Sequence, residues 1–513
     1  MSAKVIDISE SKEQLSVEKI KEKIRSECEN NIEFCTQEQE GITFLKFEKK
    51  IWKLLSYMGS LYILLFLMSC HNRLDYSKWS DTGLYYIRKA LIPKKLKTVF
   101  GEVIYCRTYQ VRKNKAASGF YPLDILPGIT RDGFSPSVIS QAARIAARVS
   151  FITSVKLFNY FYGWSPSTQS IETLVLGLGR EAGGYMEVAE APEGDSDVLI
   201  IEADGKATPT ATDEELEKRS EKRGKNKKGC CRRHRGKDKR KGKKRKRRKK
   251  GDKSKNGRSI AIVVMYTLRR GADGLLHGPV DKTVWASYAP RQVILQQARR
   301  QATKRGFPPG TDKRIHIAID GEPCLKKGLS ELSPEATSAL DIIHLEEKLW
   351  KIGRTCYGEG TEETENQVEV MKSLLYEGRV NELLSQLKEM LKLLSKRAER
   401  DKSKRVILSE VIKYMEPRLD MMNCKEYIEV DLPTASGIAE GAARYVVGER
   451  MDCSGMRWIP GRAEALLHLR CVELNGDQDK FFDWAYRKWR NKLRKEKKVF
   501  IRTDELIELL KAA

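Results

Sequence analysis

Residues 197–209 read DVLIIEADGKATP. Val198, Leu199, Ile200 and Ile201 are consecutive β-formers without a helical period, which predicts a strand buried on both faces and closed by a turn at Gly205. Asp204 then stands at the C-terminal end of that strand, where a rigid sheet in an open α/β fold holds its chemistry. A plain turn aspartate before Gly205 is the other reading of the same residue.

The downstream sequence bears on that choice. IAIVVMYTL (260–268) and TVWASY (283–288) read as strands, Arg291 to Lys304 as a helix, and RIHIAID (314–320) as a strand ending in Asp320-Gly321. SALDIIH (338–344) reads as one more short strand. A second buried strand therefore ends in a carboxylate, and the order of elements is that of the ribonuclease H fold, in which paired strand-end aspartates mark nucleases and integrases. Two divalent cations about 4 Å apart need several anionic oxygens, so a third carboxylate is expected on a later helix. Residues 345–430 are helical by pattern and read as an insertion before that helix. In GIAEGAARYVVGERM (437–451), with Ser436 as its cap, Glu440 is surrounded by small residues that allow close approach to a sheet. Glu440 is the expected third ligand, against a solvent-facing glutamate paired with Arg444; Glu449 is the other acid of this stretch.

The chain has 513 residues, enough for roughly three domains. Its net charge of +26 is concentrated: between Lys218 and Arg258 stand 25 Lys or Arg against three acids, a local +22. The rest is a nearly neutral folded body, and the basic arm has no apolar anchors with which to fold alone. That composition fits a phosphate-binding insertion, with Lys243, Lys244, Arg245 and Arg247 in its densest part. Eleven cysteines include no CxxC pair, so neither a zinc ribbon nor a disulfide framework is indicated, and their scatter points to a reducing compartment. Cys230, Cys231 and His234 lie close together without a suitably spaced fourth ligand.

Met1 to Glu10 holds no apolar core of a signal peptide. Ile51 to Met68 is the most hydrophobic run; Lys53, Ser56, Gly59 and Ser60 interrupt it, favouring a long buried helix over a membrane span. Leu96 to Val111 reads as a β-hairpin around Gly101. Ser135 to Ala182 reads as helices, with start signals at Ser135-Pro136 and Ser165-Pro166. The approach at Gly163-Trp164 suits either a helix-turn-helix, which would turn Ser167, Thr168, Gln169 and Glu172 toward DNA, or simple helix packing.

ASGIAEGAARYVVGERMDCSGMRW (435–458) and the apolar helix after it resemble the C-terminal signature of ISKra-type transposases of bacterial insertion sequences, which are similar to the Mutator-like group. EADG (202–205), AIDGE (318–322) and DIIHLEEKLW (341–350) match in order and spacing, and the FGEVIYCRTY hairpin resembles the N-terminal module of this family and of UPF-type transposase-like proteins. The resemblance covers roughly residues 95–490. It implies a DDE transposase that cuts and joins DNA with two Mg²⁺ or Mn²⁺ ions, the triad falling on Asp204, Asp320 and Glu440. Asp204 would be shared between the ions, and the family's histidine falls on His344, with Asp341 beside it. His344 is then either near the scissile bond or a core histidine; Arg457 and Trp458 either touch DNA, by phosphate contact and base stacking, or belong to the core. The resemblance also implies an assembly of two or more copies on DNA element ends and target, in a bacterial cytoplasm and nucleoid, with no membrane. Lys206 and Ala207 depart from it, standing where a small hydroxyl residue is expected, and Pro323, Cys324 and Leu325 replace aromatic residues.

The expected fold class is therefore α/β: a ribonuclease H-like core of mixed sheet and flanking helices at 195–344 and 432–475, broken by a basic insertion at 216–258 and an all-α insertion at 345–431. Before it come a helical region (1–94), a β-hairpin module (95–130) and a helical DNA-binding domain (131–190), together an α+β region; C-terminal helices fill 476–513. Two other functions fit the same sequence. One is a transposase-derived DNA-binding protein that no longer cuts; the other is a membrane-associated protein with a polybasic arm on anionic lipid.

Overall fold

The computed structural model describes residues 17–37, 41–74, 86–112, 120–125, 127–129, 132–192, 196–212, 214, 217, 257–321, 336–453 and 456–497. The chain divides into two units, Met1–Tyr185 with Asp477–Ala513, and Met186–Gly476.

In the first unit, helices α1 (Val17–Thr36) and α2 (Phe44–Arg73) are followed by strands β1 (Tyr86–Thr98) and β2 (Gly101–Arg112), paired antiparallel. Gly101 turns the hairpin with φ +131°, a backbone angle that side chains rarely adopt. The apolar run expected as a buried helix lies within α2, which is buried along one face only. Met58, Leu61, Leu64 and Leu67 join Val103 and Tyr105 of the hairpin in one core, while Trp52, Leu55 and Tyr62 are exposed. By length and composition α2 is also able to cross a membrane. A short helix, α3 (Pro122–Ile125), carries Asp124, which takes hydrogen bonds from Tyr105 (2.5 Å), Lys94 (3.1 Å) and Arg107 and so ties α3 to both strands.

Three helices follow: α4 (Pro136–Arg148), α5 (Phe151–Tyr162) and α6 (Thr168–Val188). Ser135 caps α4 through the Val138 N–H at 3.3 Å. The break before α5 comes from Ser150, whose hydroxyl accepts the Thr153 N–H at 3.2 Å. Gly163 ends α5 in the left-handed region.

The second unit is a mixed α/β layer structure. Its sheet has the order β5-β4-β3-β6-β7, with β3 (Val198–Pro209), β4 (Gly257–Arg270), β5 (Leu276–Ser287), β6 (Arg314–Ile319) and β7 (Thr337–Leu340). The first three pair antiparallel, whereas β6 and β7 run parallel to β3. Helix α7 (Arg291–Lys304) packs on one face through Ile294, Leu295 and Ala298 against Leu199, Ile201 and Val263. The helical insertion extends the same core: α8 (Ile342–Tyr357), α9 (Glu362–Tyr376), α10 (Val380–Leu393), α11 (Glu399–Met415), a 3₁₀ turn at Glu416–Met421 and α12 (Cys424–Glu429). The opposite face is covered by α13 (Gly437–Ala442), a π turn at Ala443–Gly448, α14 (Glu449–Met451) and α15 (Pro460–Leu474). With both faces covered, β3 and β4 are continuous apolar runs for a physical reason. The last helix, α16 (Gln478–Lys497), belongs to the first unit.

Two expectations need correction. β3 does not end at Asp204 but continues, paired with β4, to Pro209. DIIH is not strand: β7 stops at Leu340, and Asp341 caps α8 by accepting the Ile343 N–H at 2.8 Å and the His344 N–H at 3.3 Å.

Candidate functional site: three carboxylates and a histidine at the sheet's end

The parallel ladder between β3 and β6 ends at the pair Ala203–Ile319, and the next residues on the two strands are Asp204 and Asp320. Asp204 thus lies on β3 at the level where the neighbouring β6 stops, while β3 itself runs on beside β4. Gly205 donates its N–H to Asp204 Oδ1 at 2.6 Å. The Asp320 backbone is held by the insertion: its carbonyl accepts from Tyr414 Oη at 2.8 Å, and the Gly321 carbonyl accepts from Arg418 Nε at 2.6 Å. Gly321 has φ +80°, and any Cβ there would meet the Arg418 side chain at 2.6 Å.

Glu440 reaches the site from α13. Its carboxylate faces His344 of α8, with Oε1 3.2 Å from Nε2, while Glu347 stands 3.5 Å from the other ring nitrogen. The pairing with Arg444 weighed as an alternative is not what Glu440 makes. Glu449 points elsewhere, 3.6 Å from Arg470.

Two buried acids hold this arrangement. Asp341 Oδ1 caps α8, while Oδ2 takes the Ser436 N–H at 2.8 Å and the Ser436 hydroxyl. The Ser436 side chain is thus spent on Asp341 rather than on capping α13, as its position had suggested. Glu202, 1% exposed, accepts the Ala439 N–H at 2.8 Å and the Tyr266 hydroxyl at 2.7 Å. Sequence reasoning passed over Glu202, although a charge inside an apolar strand must find donors. Together Asp341 and Glu202 fasten the start of α13 to α8 and to β3.

Burial raises the Asp204 carboxyl above its ordinary range; the charges of Asp320 and Glu440 push the same way, against the Gly205 N–H and His344. Asp320 is raised by burial as well, with His344, Arg291 and Arg418 opposing. Burial alone would lower His344, but the carboxylates of Asp341, Glu440 and Glu347 outweigh it and hold the imidazole above its usual value. Asp204 and Asp320 are thus both held toward the protonated form, a state that an added cation relieves. Asp341, His344 and Glu440 bring ligand atoms within 4.8 Å of one another, a group able to hold a metal ion. Asp341 already receives four hydrogen bonds, which suits it to orienting this group.

Ser167, Thr168 and Gln169 are exposed at the start of α6, with Ser167 Oγ accepting the Ser170 N–H at 3.1 Å. Trp458 is buried: its ring nitrogen donates to the Met451 carbonyl at 2.9 Å, Arg450 covers its face, and its backbone pairs with Pro209. Base stacking by Trp458 is excluded by that burial. Arg457 beside it is half-buried. Lys243, Lys244, Arg245, Arg247, Cys230, Cys231 and His234 lie outside the described residues.

No protein-family model matches the sequence, and no curated protein is similar to it. Among solved structures, the chain is similar to the Drosophila P element transposase strand transfer complex, with a TM-score of 0.27 and 11% identity over 68% of this chain and 94% of that one.

Proposed function

We propose that this chain is a DDE transposase: a metal-dependent enzyme that cuts DNA and transfers the freed strand, built on a ribonuclease H-like core and related to the ISKra-type enzymes that its sequence resembles. The observation that carries the reading is that Asp204 and Asp320 directly follow the last residues paired between the parallel strands β3 and β6, and that the charges of Asp320 and Glu440 both push the Asp204 carboxyl upward. The sheet order β5-β4-β3-β6-β7, with three antiparallel strands followed by two parallel ones, supports it.

The donor set is hard oxygen from carboxylates, which fits Mg²⁺ or Mn²⁺. Asp204, Asp320 and Glu440 are the residues that would hold such ions. Held there, the ions would activate the attacking oxygen and neutralise charge on the leaving one. The protein's own contribution is positioning. Glu202 and Asp341 fix the helix that carries Glu440, Tyr414 and Arg418 fix the backbone that carries Asp320, and a protonated His344 pairs with Glu440 across 3.2 Å. On this reading the substrate is DNA, first attacked by water and then, as a 3′-hydroxyl, joined to a target; two or more copies act together.

The test is strand nicking and joining on duplex DNA carrying the element ends that flank the chain's own reading frame, with Mg²⁺ or Mn²⁺. Asp204→Asn, Asp320→Asn and Glu440→Gln are each expected to abolish nicking while leaving DNA binding intact. Wild type that binds and never cuts would leave a DNA-binding protein in place of an enzyme.

A further inference from the structure

Glu202, Asp204 and Lys206 alternate along β3, so all three side chains leave the same face of the strand. That face is the one on which α13 seats, because Ala439 donates to Glu202 there. Lys206 is half-buried, and its ammonium takes part in no hydrogen bond or ion pair among the described residues. It lies against the π turn at Gly448, where a Cβ would stand 3.0 Å from Nζ. The hydrogen of Gly448 leaves room for the ammonium, and the π turn brings that glycine to the strand. On the other face of β3, Arg291 lies against Gly205, 3.3 Å from where its Cβ would be. Lys206 is thus a half-buried ammonium without an ion-pair partner among the described residues, one strand repeat (about 7 Å) beyond Asp204, where it can meet an anion carried by a substrate.

We propose that Lys206 binds a backbone phosphate of the nucleic-acid strand being cut, next to the phosphate that reacts at Asp204. The inference rests on the reading of the site as a DNA phosphoryl transferase and adds a specific anion contact to it. Carboxylates that gather metal ions also repel a polyanionic strand, and a lysine beside them holds the neighbouring phosphate as a point charge. The resemblance noted in the sequence places a small hydroxyl residue at this position, so the contact belongs to this chain's own residues.

The test is a two-way cycle on the nicking reaction. DNA duplexes each carry one neutral methylphosphonate in place of a phosphate flanking the cut. Lys206→Met, which keeps the stem and loses the charge, is compared with wild type, and unchanged thermal midpoints establish that both are folded. In wild type one methylphosphonate position slows nicking by about tenfold, the loss expected for one charge-assisted hydrogen bond. Lys206→Met is slowed about as much on all-phosphate DNA and loses nothing further at that position. Gly448→Ala, which crowds the ammonium, gives a smaller loss at the same position. If Lys206→Met nicks at the wild-type rate, or stays as sensitive to the same methylphosphonate, the phosphate contact is wrong while the function stands. If wild type itself binds DNA and does not nick, the enzyme reading fails and the inference falls with it.

Discussion

Glu202 and Ala439 lie 237 residues apart in the chain and meet through one hydrogen bond, the Ala439 N–H donating to Glu202 Oε2 at 2.8 Å. A buried carboxylate in β3 thereby sets the height at which α13 rests on the sheet, and with it the position of Glu440.

Removing that carboxylate leaves the Ala439 N–H and the Tyr266 hydroxyl without their acceptor in a dry interface. Glu202→Ala is expected to lower stability by about 2–3 kcal/mol, read by denaturant unfolding, and to reduce nicking more than its stability loss accounts for. Glu202→Gln keeps one acceptor and is expected to lose about half as much stability.

Asp341 and Ser436 form the second fastening. Asp341→Ala is expected to cost about 2–4 kcal/mol, because α8 loses its cap and Ser436 its acceptor at once. Ser436→Ala removes one donor and should cost about 1 kcal/mol. The double variant should fall short of the sum of the two, since both delete the same contact, and additive unfolding energies would show that the pair does not act as a unit.

His344 titrates above its ordinary value because carboxylates surround it, burial notwithstanding. In metal-free protein the imidazole resonances of His344 should therefore titrate at a higher pH than an exposed histidine, and Glu440→Gln should move the midpoint downward. An unmoved midpoint would show that Glu440 does not hold this ring.

His316 behaves in the opposite sense. It is fully buried in β6, its Nδ1 2.7 Å from the Thr337 hydroxyl and its Nε2 2.9 Å from the Pro433 carbonyl. A carbonyl only accepts, so Nε2 carries the proton and Nδ1 accepts from Thr337. Burial, with the charge of Arg314, pushes its pKa from 6.5 down to about 4, against the Pro433 carbonyl. The unfolded chain then binds a proton that the folded one refuses, so stability is full above about pH 6.5 and is lost as pH falls toward about 4, by about 3 kcal/mol. His316→Gln should lack that part of the slope in unfolding experiments across this range, whatever its plateau stability.

Strands β3, β4 and β6 and the buried end of β5 were legible because both faces are covered there, which writes them as largely β-branched and apolar runs, whereas the exposed first half of β5 carries no such run. Asp204, Asp320 and Glu440 were legible as candidates because each stands where apolar or small residues give way to an acid. The DIIH stretch misled, since four residues with two isoleucines suit either strand or helix, and only the cap at Asp341 decides. The α4–α5 break was marked by Ser150 and missed because VSF continues the apolar period across it. The structural task of Glu202 depends on a helix more than 200 residues away, so no local pattern carries it. Nothing in ARYVVG marks a π turn, and its position beside Lys206 is visible only once α13 is seated.

The third acid of the site comes late in the chain. The strands that supply Asp204 and Asp320 leave the ribosome well before Glu440, with five helices of the insertion between. Until α13 emerges and finds Glu202 and Asp341, the nascent sheet carries two acids and lacks the third. On the proposed reading, a chain stalled or truncated ahead of residue 437 would lack the third acid and be unable to cut DNA, so the order of translation would work as a safety catch.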